Sequence, residues 1–338
     1  MHQPRAEPGV VPVNLCYTAH EELLVAQRTG IPVEVVRSLA PGISTRPSVL
    51  TMGKFDGLHL GHQQLISTTV ERARSLGFGS AVLTWEPHPN AILRPDQPLQ
   101  LLTSLEERIE LIAGLGPDLL IVAPFSNETK ATSAETYMRQ IVAAVPVREL
   151  WVGEGFAMGR GRSGDVANLM TIGLELGFAV GTVSKIIVGD GPVSASRVRE
   201  RLRLGDVEGV VALLGRPFGL RGVVVAGDHR GRTIGFPTAN LHIDPVHVLP
   251  ADGVYAGHVY LDGTALPAVT NVGVRPTFDG LHHTVEAHLL DWSGDLYGHS
   301  IRVTFQHRLR GEQRFNGVEA LVAQIRQDAE RARELLRR

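Results

Sequence analysis

Two histidines with the spacing His-x-Gly-His, His59 and His62, form a pair that could carry out phosphate chemistry. They end the run Gly53-Lys54-Phe55-Asp56-Gly57-Leu58-His59-Leu60-Gly61-His62, which follows an apolar stretch and precedes a helical pattern. Glycines let the backbone approach a ligand closely, and a helix N-terminus attracts anions. Histidines can donate hydrogen bonds to phosphoryl oxygens as charge develops. The run therefore predicts transfer of a nucleotidyl group without a covalent enzyme intermediate. The alternative is that both histidines only cap a surface loop.

A second group of polar residues lies in Arg230-Gly231-Arg232-Thr233-Ile234-Gly235-Phe236-Pro237-Thr238-Ala239-Asn240. The glycines permit a loop that wraps a phosphate. Thr238 and Asn240 supply a hydroxyl and an amide carbonyl, which are the hard oxygen donors that Mg²⁺ takes together with phosphates and water. The same spacing suits a turn in which both side chains bond their own backbone. The chain has no Gly-x-x-x-x-Gly-Lys-Ser/Thr sequence, so a P-loop kinase is not supported.

A carboxylate, Glu286, falls in an alternating segment that predicts a strand. Successive side chains of a strand point to opposite faces. One face would carry Thr284, Glu286 and His288, and the other Val285, Ala287 and Leu289. The alternation therefore places the carboxylate of Glu286 on the polar face of a barrel strand, and the alternative is a solvated face without a functional role.

The elements that position the first site alternate between strands and helices. Apolar runs predict strands at residues 49–52, 81–85, 119–122, 149–152 and 182–188, and helical periodicity appears at 63–76, 105–115, 133–145 and 166–176. This alternation predicts an α/β fold with a doubly wound parallel sheet. Ligands of such sheets bind at the carboxyl ends of the strands.

The pattern changes in the second part of the chain. Two short helices, 194–204 and 206–214 with Asp206 as an N-cap, are expected to close the first domain. Short strands follow at 223–225, 254–260, 268–271, 283–290 and 301–307, and then a helix at 318–336. They predict a small antiparallel β-barrel with a C-terminal helix. The expected division is an extension of uncertain structure at 1–45 and domains at 46–214 and 215–338.

Composition narrows the class of protein. A chain of 338 residues is typical of two domains, and 43% hydrophobic with 20% charged residues indicates globular material. The net charge of −2 gives no electrostatic footprint for nucleic acid or an acidic membrane. A single cysteine, Cys16, excludes an intrachain disulfide, and neither a secretory leader nor an apolar run of about 18 residues is visible. We expect a cytoplasmic protein whose partners are small molecules; its oligomeric state is not readable.

The histidine segment resembles the signature of the nucleotidylyltransferase superfamily. Within it, Gly-x-Phe-Asp-Gly-x-His-x-Gly-His is similar to the prokaryotic bifunctional riboflavin kinase/FMN adenylyltransferase family, the FAD synthetases. The segment ending in Gly-Phe-Pro-Thr-Ala-Asn resembles the riboflavin kinase signature of the same family. Further matching segments are residues 84–89, 159–165, 194–199, 249–257, 271–278, 286–290, 295–298 and 309–315. The resemblance covers about residues 46–337.

For the first domain, the resemblance implies adenylylation of FMN to FAD with release of pyrophosphate. His59 and His62 would be catalytic, and His88 would bind the flavin. Residues implied to hold ATP or its phosphates are Gly53, Phe55, Asp56, Gly61, Ser194, Ser196 and Arg199. The sequence departs from the family pattern at Gly155, Met158 and Ala195, where the family has a polar residue, an aromatic residue and a serine.

For the second domain, the resemblance implies phosphorylation of riboflavin to FMN by ATP. Thr238 and Asn240 would bind Mg²⁺, and Glu286 would take the proton of the ribityl hydroxyl as it attacks the γ-phosphate. Gly231, Arg232 and Gly235 would bind ATP, and Arg310 would bind the flavin side. Two alternatives stay open: a riboflavin kinase with a degenerate first domain, motivated by the departures above, and a flavin-binding module without turnover.

Overall fold

A parallel β-sheet forms the centre of the first domain in the computed structural model, which describes residues 33–227, 231, 234–277 and 280–337. The strands of this part are β1 Glu34–Val36, β2 Ser48–Met52, β3 Gly79–Glu86, β4 Leu119–Pro124, β5 Val147–Gly153, β6 Ala157–Met158, β7 Gly164–Asp165, β8 Ala179–Val183, β9 Ile187–Val188 and β10 Gly191–Pro192. The main sheet has the order β1-β4-β3-β2-β5-β8, with every pair parallel.

Helices cover both faces of this sheet. They are α1 Leu60–Leu76, α2 Pro89–Leu93, α3 Leu105–Ala113, α4 Asn127–Ala131, α5 Ala134–Ala144 and α6 Val166–Leu176, followed by α7 Ala195–Leu204 and α8 Val207–Leu214. Successive residues of β4 belong to hydrophobic cores on opposite faces of the sheet. Ile121 packs in the core that contains Met138 of α5, and Leu120 packs in the core that contains Ile66 of α1. Both faces are buried, as the nearly continuous apolar strands require, so the predicted doubly wound α/β sheet is confirmed.

Three details of the first domain differ from the predictions. Strand β1 falls in the segment expected to be an extension, and it pairs with β4 at the edge of the sheet. The strand predicted at 182–188 ends at Val183, and Ile187–Val188 forms a separate antiparallel hairpin with β10. Helix α1 begins at Leu60 rather than at Gln63, so His59 is its N-cap.

The second domain is an antiparallel barrel. Its elements are β11 Phe218–Val225, β12 Ala239–His242, β13 Gly253–Leu261, β14 Thr264–Thr277, β15 Gly280–Leu289, β16 Ser300–Phe305, β17 His307–Arg310 and helix α9 Val318–Leu336. The order β14-β15-β12-β11-β16-β13 is closed by pairing of β13 with β14, which gives six strands around the barrel. Ala329 and Ala332 of α9 pack against Ala256 and Leu290. The predicted barrel with a C-terminal helix is therefore confirmed.

The sequence patterns did not predict β12 and β17 as separate strands of the barrel. The strand expected at 301–307 is divided at Gln306 into β16 and β17, which pair with different parts of β13. Strand β12 was assigned to the glycine-rich loop, because four residues with one large apolar side chain give little periodic signal.

Helices α7 and α8 pack differently from the expectation that they close the first domain. Val198 and Leu202 of α7 and Val210 of α8 are fully buried, and they belong to the same hydrophobic core as Phe218 and Tyr255 of the barrel. The capping prediction is correct, because Asp206 accepts from the backbone N–H of Gly209 at 2.8 Å.

Candidate functional site

The loop after β2 brings its backbone through a left-handed turn at the carboxyl edge of the sheet. Phe55 and Leu58 have φ values of 50° and 38°, and Gly57 has 73°. A Cβ atom at Gly53 would lie 2.8 Å from the ring of buried Phe55, and one at Gly57 would lie 2.6 Å from the side chain of Leu102. The glycines are thus required by close approach inside the protein, and they place His59 at the start of α1.

The two histidines stack on each other at this helix N-terminus. Their ring centroids are 3.6 Å apart, and the ring of His62 also meets the edge of Phe55 at 5.2 Å. Nδ1 of His59 accepts from the backbone N–H of His62 at 3.3 Å. In the neutral ring the proton therefore lies on Nε2, which leaves an N–H donor available for a ligand.

Burial keeps the histidines of this site uncharged. Desolvation lowers the pKa of His59 to about 4 and that of His88 to about 3. Burial, followed by the neighbouring His59, lowers the pKa of His62 well below its usual value. Nδ1 of His88 accepts from the N–H of Asn90 at 3.2 Å, so this ring also carries its proton on Nε2 when neutral. All three histidines are neutral hydrogen-bonding groups near pH 7.

Buried Asp56 forms an ion pair with partly buried Arg199 beside the histidine loop. Oδ1 of Asp56 accepts from the backbone N–H of Leu102 at 2.9 Å and of Thr103 at 3.2 Å. Arg199 also donates from Nε to the backbone carbonyl of Gln100 at 2.6 Å. Burial raises the pKa of Asp56, and Arg199 together with the backbone donors opposes that rise. The structure joins two residues that the sequence only placed in separate motifs.

Positive charge converges on the same site from residues that the sequence analysis did not select. Lys54 donates to Oδ1 of Asn90 at 2.8 Å. Burial lowers the pKa of Lys54, and Arg94, Arg162 and Arg199 lower it further through charge repulsion. Such mutual repulsion is relieved by a polyanion. Arg162 lies in the matching segment 159–165, which also contains Arg160, so the charge of this segment was the available signal.

The other residues predicted for the first site lie on, or at the start of, helices α1 and α7. Ser194 caps α7 by accepting from the N–H of Arg197 at 3.3 Å, while Ser196 is exposed on the same helix. Gly61 lies on α1 beside His59, and a Cβ there would make an ordinary contact of 3.4 Å with the ring of His59. Glu154, next to Gly155, accepts from the hydroxyl of Ser184 at 2.7 Å.

In the barrel, Glu286 lies between two asparagines on neighbouring strands. It is the register partner of Asn240 on β12 and of Asn271 on β14. Directly opposed residues of antiparallel strands have Cβ atoms about 4.5–5.5 Å apart, so the three side chains form one row. The predicted face is correct, because the alternating residues Val285, Ala287 and Leu289 are buried in the barrel core, whereas Thr284, Glu286 and His288 are half-buried. Asn271 was quoted only as part of a motif.

The loop before β12 is held close to Thr238. Phe236 donates its backbone N–H to the carbonyl of Gly231 at 2.8 Å, and a Cβ at Gly231 would lie 2.3 Å from the carbonyl oxygen of Phe236. His288 contacts the backbone carbonyl of Pro237 through Nδ1 at 2.8 Å. Gly235 has a φ of 86°. Arg232 lies outside the described residues.

Arg310 makes a two-pronged ion pair with the terminal helix. Its guanidinium contacts both carboxylate oxygens of Asp328 at about 3 Å, and it lies over the ring of Phe315. Asp328 is buried. Arg310 therefore fastens α9 to β17 in this structure, and its flavin role stays a prediction.

The donor set near Thr238 is suited to magnesium shared with a nucleotide. A hydroxyl, an amide oxygen and the nearby Glu286 carboxylate are hard ligands. No cluster of three or more His, Cys, Asp or Glu that could hold a metal occurs within the described residues.

Family models match the two parts of the chain separately. A family model for FAD synthetase matches residues 43–197, and one for riboflavin kinase matches residues 214–336. The chain is 36% identical to a bifunctional riboflavin kinase/FMN adenylyltransferase of Bacillus subtilis, covering 84% of this chain and 91% of the relative. It is 38% identical to the protein of the same name from Escherichia coli K12, covering 85% and 92%.

A solved structure is similar over nearly the whole chain. It is described as a macrolide-efflux protein from Streptococcus pneumoniae, with 29% identity, a TM-score of 0.82, and coverage of 90% of this chain and 99% of that one.

Within the described residues, no helix is both long and apolar enough to span a bilayer.

Proposed function

Because the chain belongs to the bifunctional riboflavin kinase/FMN adenylyltransferase family, we propose that it makes FMN from riboflavin in the barrel and FAD from FMN in the α/β domain. ATP is the phosphoryl donor in the first step and the adenylyl donor in the second. The observation that carries the second step is the stacked, neutral His59–His62 pair at the N-terminus of α1.

In the α/β domain, a phosphate oxygen of FMN attacks the α-phosphorus of ATP, and pyrophosphate leaves. Nε2–H of His59 and the ring of His62 donate to the oxygens on which charge develops, together with the N-terminal N–H groups of α1. Arg199 and Lys54 balance the charge of the triphosphate. Preorganised donors of this kind contribute about 10²–10³-fold each. His88 orients the flavin substrate.

In the barrel, Glu286 accepts the proton of the ribityl hydroxyl as that oxygen attacks the γ-phosphorus of ATP, and ADP leaves as the bond between the γ-phosphorus and the bridging oxygen breaks. A positioned general base contributes about 10²–10⁴-fold. Asn240 and Asn271 flank Glu286 and orient its carboxylate. Thr238 and Asn240 hold Mg²⁺, which supplies neutralisation of phosphate charge when bound. The loop containing Gly231, Arg232 and Gly235 surrounds the phosphates, and Arg310 lies toward the flavin.

The efflux description of the Streptococcus structure applies to that protein. The charges of Arg94, Arg162 and Arg199 around Lys54, in the loop before α1, favour a phosphate-binding enzyme for this chain. We expect it to act in the cytoplasm, where ATP and flavins meet.

The deciding experiment is product analysis. Purified protein receives riboflavin, ATP and Mg²⁺, and the flavins are separated by chromatography over time. We expect FMN to appear first and FAD to follow, with pyrophosphate released in step with FAD. FMN that accumulates without FAD would identify a riboflavin kinase with a degenerate first domain. Bound but unmodified riboflavin would identify a flavin-binding module.

A further inference from the structure

Helix α7 bears Arg199 of the first site, but its apolar residues lie in a hydrophobic core with residues of the second domain. Arg199 lies on this helix, one residue after Val198. Val198 and Leu202 are fully buried in the hydrophobic core that contains the barrel residues Phe218 and Tyr255. The apolar face of α7 therefore packs in a hydrophobic core that it shares with α8 and the barrel.

The C-terminal end of α7 is also bonded to the barrel. Arg308 on β17 donates to the backbone carbonyl of Leu204 at 3.1 Å and to that of Asp252 at 3.0 Å. The backbone N–H of Ala251 donates to the carbonyl of Leu202 at 2.8 Å. A cation and a backbone donor thus satisfy the free carbonyls at the helix C-terminus, where positive charge is favourable.

A second connection reaches Arg199 from the other side. Arg199 donates to the carbonyl of Gln100, and the next residue, Leu101, forms a parallel bridge with the barrel loop at His247. Leu101 donates to the carbonyl of Val246 at 2.7 Å and accepts from the N–H of Val248 at 2.9 Å. Residues 246–252 of the barrel domain therefore contact both the helix that bears Arg199 and the segment that Arg199 binds.

We propose that the riboflavin kinase domain positions the phosphate-binding arginine of the adenylyltransferase site, and that Arg308 is a positioning residue for FAD synthesis. Arg308 acts through the end of α7, five residues from Arg199. The inference rests on the proposed role of Arg199 in binding ATP.

Loss of Arg308 removes the side-chain donor to Leu204 while the buried face of α7 stays in place. The helix then gains freedom at its C-terminal end, and the guanidinium of Arg199 loses part of its alignment with the nucleotide. Because Arg199 contacts phosphates before and during the reaction, the effect falls mainly on the KM for ATP. Misplacement by a remote substitution can reduce activity by about 10²-fold, so we expect a rise in KM of about tenfold.

The test uses full-length protein and follows adenylylation of supplied FMN at varied ATP. Arg308→Ala should raise the KM for ATP about tenfold with kcat changed by less than about threefold, and Arg308→Lys should restore part of the affinity. Phosphorylation of riboflavin by the same variant should stay within about twofold. Arg333→Gln is the matched control, because it removes a two-pronged arginine pair with Asp291 that does not involve α7.

The outcomes separate this inference from the proposed function. Arg199→Ala should abolish FAD formation; if it does not, the proposed role of Arg199 is wrong. If Arg199→Ala abolishes FAD formation while Arg308→Ala keeps the parental KM for ATP, only the positioning role is overturned. Equal losses in both activities, or the same KM change in Arg333→Gln, would reveal a general loss of structure and would also overturn it.

Discussion

At the residue scale, the first site depends on histidines that are held neutral. His59 and His88 each use Nδ1 as an acceptor for a backbone N–H of the following turn. The fold therefore fixes the tautomer as well as the position of each ring. A neutral donor suits a site already crowded with Lys54, Arg94 and Arg162, because further positive charge would be destabilising before ATP binds.

His62→Ala should remove most adenylyl transfer. The expected loss in kcat is about 10²–10³-fold, since one donor to the developing charge is removed. Phosphorylation of riboflavin should be unchanged. The measurement is pyrophosphate release from FMN and ATP. His299→Ala, at an exposed histidine of the barrel domain, is the control and should behave like the parent. Unchanged FAD formation in His62→Ala would contradict the catalytic role.

Stability should fall in acid because of the buried histidines. In the unfolded chain a histidine titrates near its ordinary pKa of 6.5, whereas the folded pKa is about 4 for His59 and about 3 for His88. Between these pKa values the unfolded state binds more protons than the folded state. The free energy of unfolding therefore has its full value above pH 6.5 and decreases as the pH falls toward the folded pKa values. The slope is up to about 1.4 kcal/mol per pH unit for each histidine.

Urea unfolding at about pH 7 and about pH 5 measures this slope. His88→Asn should show a smaller difference in unfolding free energy between the two pH values than the parent. Replacement of exposed His299 by Asn should leave the difference unchanged. Identical pH differences in the parent and His88→Asn would show that His88 does not titrate abnormally.

Residue type and spacing selected His59, His62, Asn240 and Glu286 as candidates, because the chemistry expected of each lies in its own side chain. Their catalytic and metal-binding roles stay predictions. The partnership of Asp56 with Arg199 links residues 143 positions apart, and only the fold brings them together.

At the element scale, strands β12, β15 and β14 bring the barrel residues into one row. The register pairs Asn240, Glu286 and Asn271, although about 45 residues of chain separate the first two. The alternation in the sequence predicted which face Glu286 occupies. It could not predict the neighbours, because pairing register is set by the turns and by the closed barrel.

Glu286→Gln tests the function of this row. The substitution keeps size and hydrogen bonding but removes the base, so we expect kcat for FMN formation to fall about 10²–10⁴-fold with little change in KM. FMN production from riboflavin is the measurement. Adenylylation of supplied FMN should continue at the parental rate. Equal loss of the two activities would contradict separate reaction centres.

The histidine loop allows a second test at this scale, on glycine geometry. Gly57 and Gly77 both have left-handed backbone, with φ of 73° and 69°. A Cβ at Gly57 would meet buried Leu102 at 2.6 Å, whereas one at Gly77 would meet nothing within 4 Å. Gly77→Ala should cost about 1 kcal/mol of stability from backbone strain, and Gly57→Ala about 2 kcal/mol more from overpacking. Only Gly57→Ala should also impair FAD formation.

Chemical denaturation of both variants, with FAD synthesis measured on the folded proteins, gives the comparison. Equal destabilisation would mean that Leu102 can move aside. Parental FAD synthesis in Gly57→Ala would mean that the turn does not set the positions of the histidines.

Long helices were predicted closely, and short strands were not. The bounds 166–176 and 318–336 match α6 and α9, because an amphipathic pattern runs through both helices; α6 also has Asp165 as its N-cap and ends before Gly177. β1 and β12 have three and four residues. Their strand conformation comes from pairing with β4 and with β11 and β15, which a local pattern does not reveal.

At the scale of the whole molecule, the two domains share structural elements. Leu102 from the first domain and Val198, Leu202 and Val210 from α7 and α8 lie in one core with the barrel. Arg216 lies between α8 and β11 and donates to the backbone carbonyls of Gly57 and Leu58. These bonds connect the segment before the barrel to the histidine loop. The boundary expected at residue 214 follows the change of strand pattern, and the hydrophobic core that contains the barrel residues also includes residues of α7 and α8 before that boundary.

This shared core predicts cooperative unfolding. Differential scanning calorimetry should give one transition for the two domains, because loss of the barrel removes the support of α7. Hydrogen exchange should give similar opening free energies for β2–β5 and for the barrel strands. Two separate calorimetric transitions would show that the domains unfold independently.

Helix α7 also restricts how the chain can be divided into two independent proteins. A cut before Ala195 leaves Arg199 on the kinase fragment, so the adenylyltransferase fragment lacks that arginine. A cut after Leu214 keeps Arg199 with the α/β sheet but exposes the apolar faces of α7 and α8 to solvent. A working pair of separated proteins would need its own copy of this helix on each fragment.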